Sequence, residues 1–198
     1  MFDVFSISTK IKSGWYKVVS LIVYAPFFRS FGSHSKIVRP LQVKNPRLIS
    51  IGNNVTINDG VFMIAEPSDQ KGDDSLLCVG DGTTMGHFNH VVAVNKVLIG
   101  RNVLTADRVY LSDNYHGFED VNLPISWQSV KSKASTIIGD ETWLGENVCV
   151  ISASIGKHCI VAANSVVISD IPDFSMAAGV PAVVKKRYNF EKKIWEKC

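Results

Sequence analysis

Residues 138–167 read IGDETWLGENVCVISASIGKHCIVAANSVV, and the spacing inside this run decides the fold. Ile138, Leu144 and Val150 stand six apart, and so do Ile155, Val161 and Val167. Working outward, the same step of six joins 51, 57 and 63, then 79, 85 and 91, then 99, 105 and 111; among all these positions only Thr105 is not Ile, Leu, Val or Met. A helix would repeat every 3.6 residues and a half-buried strand every 2, so neither explains the pattern. A period of six is the signature of a parallel β-helix. Each hexapeptide supplies a short strand and a turn, three close one coil, and the aliphatic residue points into the shaft. Gly52, Gly80, Gly100, Gly139 and Gly156, or Asn58, follow the inward residue, because a tight corner asks for φ > 0 or close backbone approach. One coil cannot bury its own apolar face, so coils must stack.

The period is lost between 111 and 138. That interval predicts an excursion loop, residues 113–135, leaving the shaft after the third regular coil. The polar stretch 66–75 is expected to leave it as well. Three units follow: an apolar N-terminal segment over 1–36, the β-helix over 37–184, and a basic tail over 185–198.

The end pieces do not keep the period. Residues 15–31, WYKVVSLIVYAPFFRSF, predict a short apolar helix broken near Pro26. Two fates are open to it: a cap on the open end of the shaft, or a place on a bilayer interface with Trp15, Tyr16, Lys17 and Arg29 as anchors. In residues 188–198, Phe190, Ile194 and Trp195 stand at helical spacing and predict a C-terminal helix.

Composition excludes several classes. With 198 residues, 46% hydrophobic and 20% charged, the chain can bury a core and suits one domain. Its longest apolar stretch, residues 21–28, is interrupted by Pro26 and falls short of the roughly 20 residues of a membrane-spanning helix. No signal-peptide pattern is expected at the N-terminus. A net charge of +3 is too mild to imply nucleic acid. Cys78, Cys149, Cys159 and Cys198 lack C-x-x-C spacing, so they read as thiols in a reducing cytoplasm.

From about residue 51 to 187 the chain resembles the hexapeptide-repeat acyltransferases, which fold as left-handed parallel β-helices. The likeness is densest in residues 138–147 and in the phrase Asp170-Ile171-Pro172-Asp173-Phe174-Ser175-Met176-Ala177-Ala178-Gly179-Val180-Pro181-Ala182. That phrase is similar to the C-terminal one of galactoside, maltose and polysaccharide acetyltransferases. Asp113-Asn114-Tyr115-His116-Gly117 is similar to the D-x-x-H-G loop of enzymes that O-acetylate bacterial surface polysaccharides.

The resemblance implies a homotrimer, acetyl-CoA as co-substrate, a saccharide acceptor and His116 as general base. A sugar hydroxyl is almost wholly protonated at neutral pH, and a neutral imidazole, with an ordinary pKa of about 6.5, can take its proton. Independently of the resemblance, His116 lies where the repeat ends and a long loop departs, and loops on rigid scaffolds tend to carry sites. Asp113, Asn114, Tyr115, His87 and Asn89 are implied near the acceptor. For the donor, the resemblance maps the groove between coils onto Gly145, Glu146, Ala162 and Ala163, with Ser169 near the nucleotide. The Glu146 N–H falls at the position that stabilises the tetrahedral oxyanion. Lys185, Lys186 and Arg187 either meet the CoA phosphates or form a solvated basic tail. Trp143 either lines the groove or packs a corner.

Two departures matter. Galactoside-type members place an acceptor-holding asparagine where this chain has Gly86, so its acceptor pocket differs. The γ-class carbonic anhydrases, a related branch, bind zinc through H-x-x-x-x-H, which this sequence lacks; no metal is expected. His87 and His90, three apart, should point in different directions, and His34 and His158 read as exposed turn residues. The reading is an O-acetyltransferase acting on a sugar of a surface polysaccharide or its lipid-linked precursor. Its rivals are an N-acetyltransferase of an amino sugar nucleotide and a non-catalytic, glycan-binding β-helix.

Overall fold

The computed structural model describes residues 4–67 and 76–198, with side chains from Ile11 onward. Short strands recur in threes and stack in parallel, so that the shaft is a triangular prism. Its first face runs from Ser30–Phe31 through Ile49–Ile51, Leu77–Val79, Val97–Ile99 and Thr136–Ile138 to Ser154–Ile155. The second face runs from Lys36–Ile37 through Thr56–Ile57, Thr84–Met85, Leu104–Thr105 and Trp143–Leu144 to Ile160–Val161, then Ser175–Gly179. The third runs from Gln42–Lys44 through Phe62–Ala65, His90–Ala93, Tyr110–Ser112 and Cys149–Ile151 to Val166–Val167. Among the described residues six coils are complete. Parallel pairing in register stacks like on like: Ile51 on Val79, Ile99 on Ile138, Leu144 on Val161.

Every residue picked out by the step of six is buried, none more than 3% exposed. Thr105, the polar exception, is buried too; its hydroxyl accepts from the Gly86 N–H at 3.1 Å and from the Asn89 side-chain amide. The Asn89 Oδ1 accepts from Val109 N at 2.7 Å. A buried hydroxyl and a buried amide thus satisfy one another inside the shaft.

At the corner after the first face, the glycine is needed for close approach: a Cβ on Gly80 would sit 2.7 Å from the backbone of Gly100. The positive φ falls two residues later, at Asn54 (55°), Gly82 (72°), Asn102 (52°), Glu141 (62°) and His158 (52°). Between these positions a carboxylate or amide oxygen of one coil accepts a backbone N–H of the coil before. Asn53 N meets Asp81 at 2.7 Å, Arg101 N meets Asp140 at 2.7 Å, and Lys157 N meets Asp173 at 2.9 Å. The ladder satisfies corner N–H groups that no strand can reach.

Four expectations need correction or extension. Residues 30–44 already form a complete coil, with Phe31, Ile37 and Val43 six apart, so the coil of residues 99–111, after which the excursion leaves as expected, is the fourth of the shaft. The N-terminal helix is longer than its apolar core, running Val4–Val19 (α1), widening into a π turn over Ser20–Tyr24 and tightening into a 3-10 turn over Ala25–Phe27, which holds Pro26 and ends at the extended Phe28. It caps the shaft: Ser20 is fully buried, accepts from Ile37 N at 2.8 Å, and stands beside Tyr24 and Phe28, which pack on the core. The C-terminal helix is absent. In its place Ala182–Asn189 and Ile194–Lys197 form an antiparallel hairpin that extends the second face. The Asn189 Oδ1 accepts from the N–H groups of Glu191 and Lys192 at 3.0 Å each, a turn that reverses the chain. Tyr188 then opposes Trp195, ring centroids 5.4 Å apart. Of the stretch 66–75, residues 68–75 lie outside the described residues.

Candidate active site

Two edges of the prism hold the residues that the sequence singles out. The first is the edge between the third and first faces, where the chain leaves coil four after Ser112 and returns at Thr136. The excursion is a hairpin, Asn114–His116 pairing antiparallel with Val130–Ser132. Asp113 roots it. That residue is fully buried, and its carboxylate accepts the N–H groups of Val94 (2.9 Å), Asn95 (2.7 Å) and Lys96 (2.5 Å) as well as the Asn114 side-chain amide (3.0 Å). Both its oxygens are engaged inside the protein, which corrects its expected place beside an acceptor. Asn114 also donates to Val92 O at 3.3 Å. His116, opposite Val130, is exposed, and its imidazole has no hydrogen-bond partner among the described residues. Tyr115 is 37% exposed and lies 6.1 Å from the Phe118 ring. Ser169 follows Val167 and is exposed on this same edge, two coils on.

The second edge lies between the second and third faces. Register places Gly86, Ala106, Gly145, Ala162 and Ala178 in one column. Small side chains are required here: a Cβ on Gly86 would lie 2.3 Å from Ala106 O, and one on Gly145 would lie 2.6 Å from Ala163 N. The next column is Asp59, His87, Asp107, Glu146 and Ala163. Asp107 accepts both the His87 backbone N–H (2.7 Å) and the His87 Nδ1 (3.1 Å). These bonds hold the Asp107 carboxyl below the usual carboxylate range, so the imidazole is oriented by an anion through Nδ1. Further along the column this bond is not repeated: the Asp107 N–H has no acceptor among the described residues. The residue one coil beyond Glu146 is Ala163, which has no carboxylate to offer, and the Glu146 N–H has no acceptor among the described residues. Its side chain pairs with Arg108 at 2.8 Å. Ala162 and Ala163 are exposed beside it, and Trp143, 48% exposed, stands outward on the adjoining second face between Leu104 and Ile160.

The remaining residues divide. Asn89, placed near an acceptor by resemblance, is 1% exposed and bonded within the shaft, so it does not face a ligand. His90 points out from the third face between Phe62 (5.0 Å) and Tyr110 (5.3 Å), and burial there lowers its pKa. Lys185, Lys186 and Arg187 lie on a strand and alternate sides, with Lys186 the less exposed. His34 and His158 are exposed at positive φ on corners. Among the described residues no three His, Cys, Asp or Glu side chains converge as metal ligands, and no helix is long and apolar enough to cross a membrane.

His116 and the Gly145 column therefore stand on different edges of one chain, and no single copy brings them together. The sequence reading did not single out Asp107. Its signal was present: it occupies the place in its hexapeptide that Asp81 and Asp140 occupy in theirs.

No family model matches the chain. WbbJ of Escherichia coli (strain K12), assigned by name to O-acetyl transfer in lipopolysaccharide biosynthesis, is 34% identical over 179 residues, which is 86% of this chain and 88% of that protein. Among solved structures, AntD of Bacillus cereus, an N-acyltransferase in complex with dTDP and 3-hydroxybutyryl-CoA, superposes with a TM-score of 0.67 at 19% identity, covering 84% of this chain and 87% of that one. A hexapeptide-repeat acetyltransferase of Vibrio cholerae in complex with acetyl-CoA gives a TM-score of 0.56 at 20% identity, covering 93% and 91%. The hexapeptide period, the stacked corners and this relationship over nearly the whole length converge: the chain belongs to the hexapeptide-repeat acyltransferases with the left-handed β-helix fold.

Proposed function

We propose that the protein is an acetyl-CoA-dependent O-acetyltransferase acting on a sugar hydroxyl of a bacterial surface polysaccharide or its precursor, with His116 as general base. The observation that carries this reading is one of height. The hairpin bearing His116 leaves coil four and returns to coil five, and the open Glu146 N–H sits on coil five of another edge. A threefold axis parallel to the shaft preserves height while bringing one copy's loop to the next copy's edge. Phe118, Val121 and Trp127 on that loop are 62%, 91% and 76% exposed, apolar surface that a neighbouring copy would cover. Both features support a homotrimer with sites between subunits.

In this reading His116 accepts the proton of the sugar hydroxyl as its oxygen attacks the thioester carbonyl. A C–O bond forms, the tetrahedral oxyanion rests on the Glu146 N–H, and the C–S bond breaks as the imidazolium returns its proton to the leaving thiolate. No acyl-enzyme is needed. Cys159 fits that economy: it is buried, and burial pushes its thiol above the ordinary range, the reverse of an activated nucleophile. The small column Gly145, Ala162 and Ala163 lets a pantetheine arm run along the backbone.

The surface of α1 supports a location at the inner face of a membrane. Ile11, Trp15 and Val18 are each at least half exposed and share one side of α1 by their helical spacing, with Lys12 and Lys17 beside them and the exposed Ile22 in the turn beyond. An apolar stripe flanked by lysines is complementary to an anionic lipid surface.

The test is His116→Ala. It should lower turnover by about 10²–10⁴-fold while leaving acetyl-CoA affinity unchanged; near-normal turnover removes His116 from the mechanism. Hydroxylamine release of the product separates an ester from the amide of an N-acyltransferase, the chemistry in AntD's name. Acetyl-CoA binding by calorimetry separates both from a β-helix that only binds glycans.

A further inference from the structure

Between α1 and the edge that carries Gly145 runs a groove of about 580 Å³, lined by Lys12, Trp15, Lys36, Arg39, Asp59 and His87 with their neighbours. It climbs that edge from coil one, which holds Lys36 and Arg39, through Asp59 of coil two to His87 of coil three. Glu146 lies two coils beyond His87 on the same column, about 10 Å at the ordinary spacing of stacked strands, which leaves room for one sugar ring.

Charge in this groove is unbalanced. Arg39 is paired with Asp59 at 2.9 Å. Lys36 bonds only the Ser13 hydroxyl, at 2.8 Å, and Lys12 has no ion pair among the described residues. Burial first, and the nearby Lys17 second, hold the Lys36 ammonium below its ordinary range. The imbalance extends beyond the groove: residues 4–58 contain eight Lys or Arg and no Asp or Glu, whereas residues 59–198 contain 13 and 17. Lys12 and Lys36 both line the groove, where an anion offsets the cost that burial and Lys17 impose on the Lys36 ammonium, and lysine point charges beside an arginine fork suit adjacent phosphates. At the upper end His87 lines the groove; Asp107 holds it through Nδ1, and its Nε2, with no hydrogen-bond partner among the described residues, is left to bond a sugar hydroxyl.

The geometry points to a diphosphate subsite: the acceptor is a sugar carried on a diphosphate, whose phosphates lie among Lys12, Lys36 and Arg39 and whose ring extends past His87 towards the donor column. This rests on the transferase reading above and adds the chemical class of the acceptor's carrier. A nucleotide and a lipid can each supply that diphosphate.

The experiment is titration calorimetry on the full chain with inorganic pyrophosphate, in saturating coenzyme A so that the donor site is filled. Binding is expected to persist and to weaken at least tenfold in Lys12→Gln/Arg39→Gln, with acetyl-CoA affinity equal in the two proteins. Lys12→Gln alone, at an exposed side chain with no ion pair, guards against a folding defect and should weaken binding in the same direction. Uridine diphosphate and geranyl diphosphate are titrated in parallel; tighter binding of the first assigns the carrier to a nucleotide, of the second to a lipid, and either keeps the subsite. Absence of pyrophosphate binding, or equal binding by the variants, overturns it. Pyrophosphate binding without any acetyl-CoA binding would sink the transferase reading and leave the subsite standing.

Discussion

Asp113→Ala tests whether the loop that carries His116 is held from inside the protein. The carboxylate receives three backbone N–H groups, from Val94, Asn95 and Lys96, at 2.5–2.9 Å. Hydrogen bonds to a charged group contribute about 1.5–3 kcal/mol each, and a buried donor left unpaired costs about 1–3 kcal/mol. The three donors do not suffer equally. Val94 is buried, so its N–H stays dry, while Asn95 is exposed and Lys96 half-buried, so water replaces part of what they lose. Weighting them that way gives a loss of roughly 3–5 kcal/mol. Urea unfolding at one fixed protomer concentration measures it, since oligomer stability depends on concentration. Because Asp113 precedes the His116 strand directly, turnover should fall at least tenfold with little change in acceptor KM. A direct acceptor contact would show the opposite split, a raised KM at near-native stability. Asp113→Asn, which keeps the volume and one accepting oxygen, should restore part of both losses. A stability change under about 1 kcal/mol together with native turnover would refute the argument.

Three further outcomes are expected. Light scattering should give three protomers, and a monomer with full activity at the same concentration would dismiss the intersubunit site. Burial lowers the His90 pKa, so below the ordinary value of about 6.5 the unfolded chain binds more protons than the folded one, and stability should fall as pH drops through that value and level off below the folded pKa; His90→Phe should flatten the dependence of the unfolding midpoint, and parallel curves for the two proteins would count against it. The full chain should float with anionic vesicles at low salt and less at high salt, with Trp15→Glu/Ile22→Glu left in the soluble fraction; a native chain that stays soluble at low salt ends the membrane reading.

What the sequence by itself determined was the shaft. A hexapeptide repeat is a local code: the place of a residue in its six fixes whether its side chain points inward, so Ile51, Leu144 and Val167 could be assigned to the core without knowing their partners. The departure of the chain near Ser112 was legible for the same reason, as a lapse of the period. Helical spacing misled at the C-terminus, where Phe190, Ile194 and Trp195 match 3.6 by coincidence. The open edge of the second face offered unpaired backbone groups, and covering them as a hairpin satisfies both edge and tail. Other decisions belonged to the tertiary structure because they depend on residues a full coil or more apart. Asp113 became an internal anchor through N–H groups 17–19 positions earlier. His87 gained its orienting carboxylate from Asp107, 20 residues on. Lys36 met α1 across 23 residues. The period says which way a side chain faces; the stacking of coils and the closing of α1 over the end decide which charges share a groove and which edge His116 occupies.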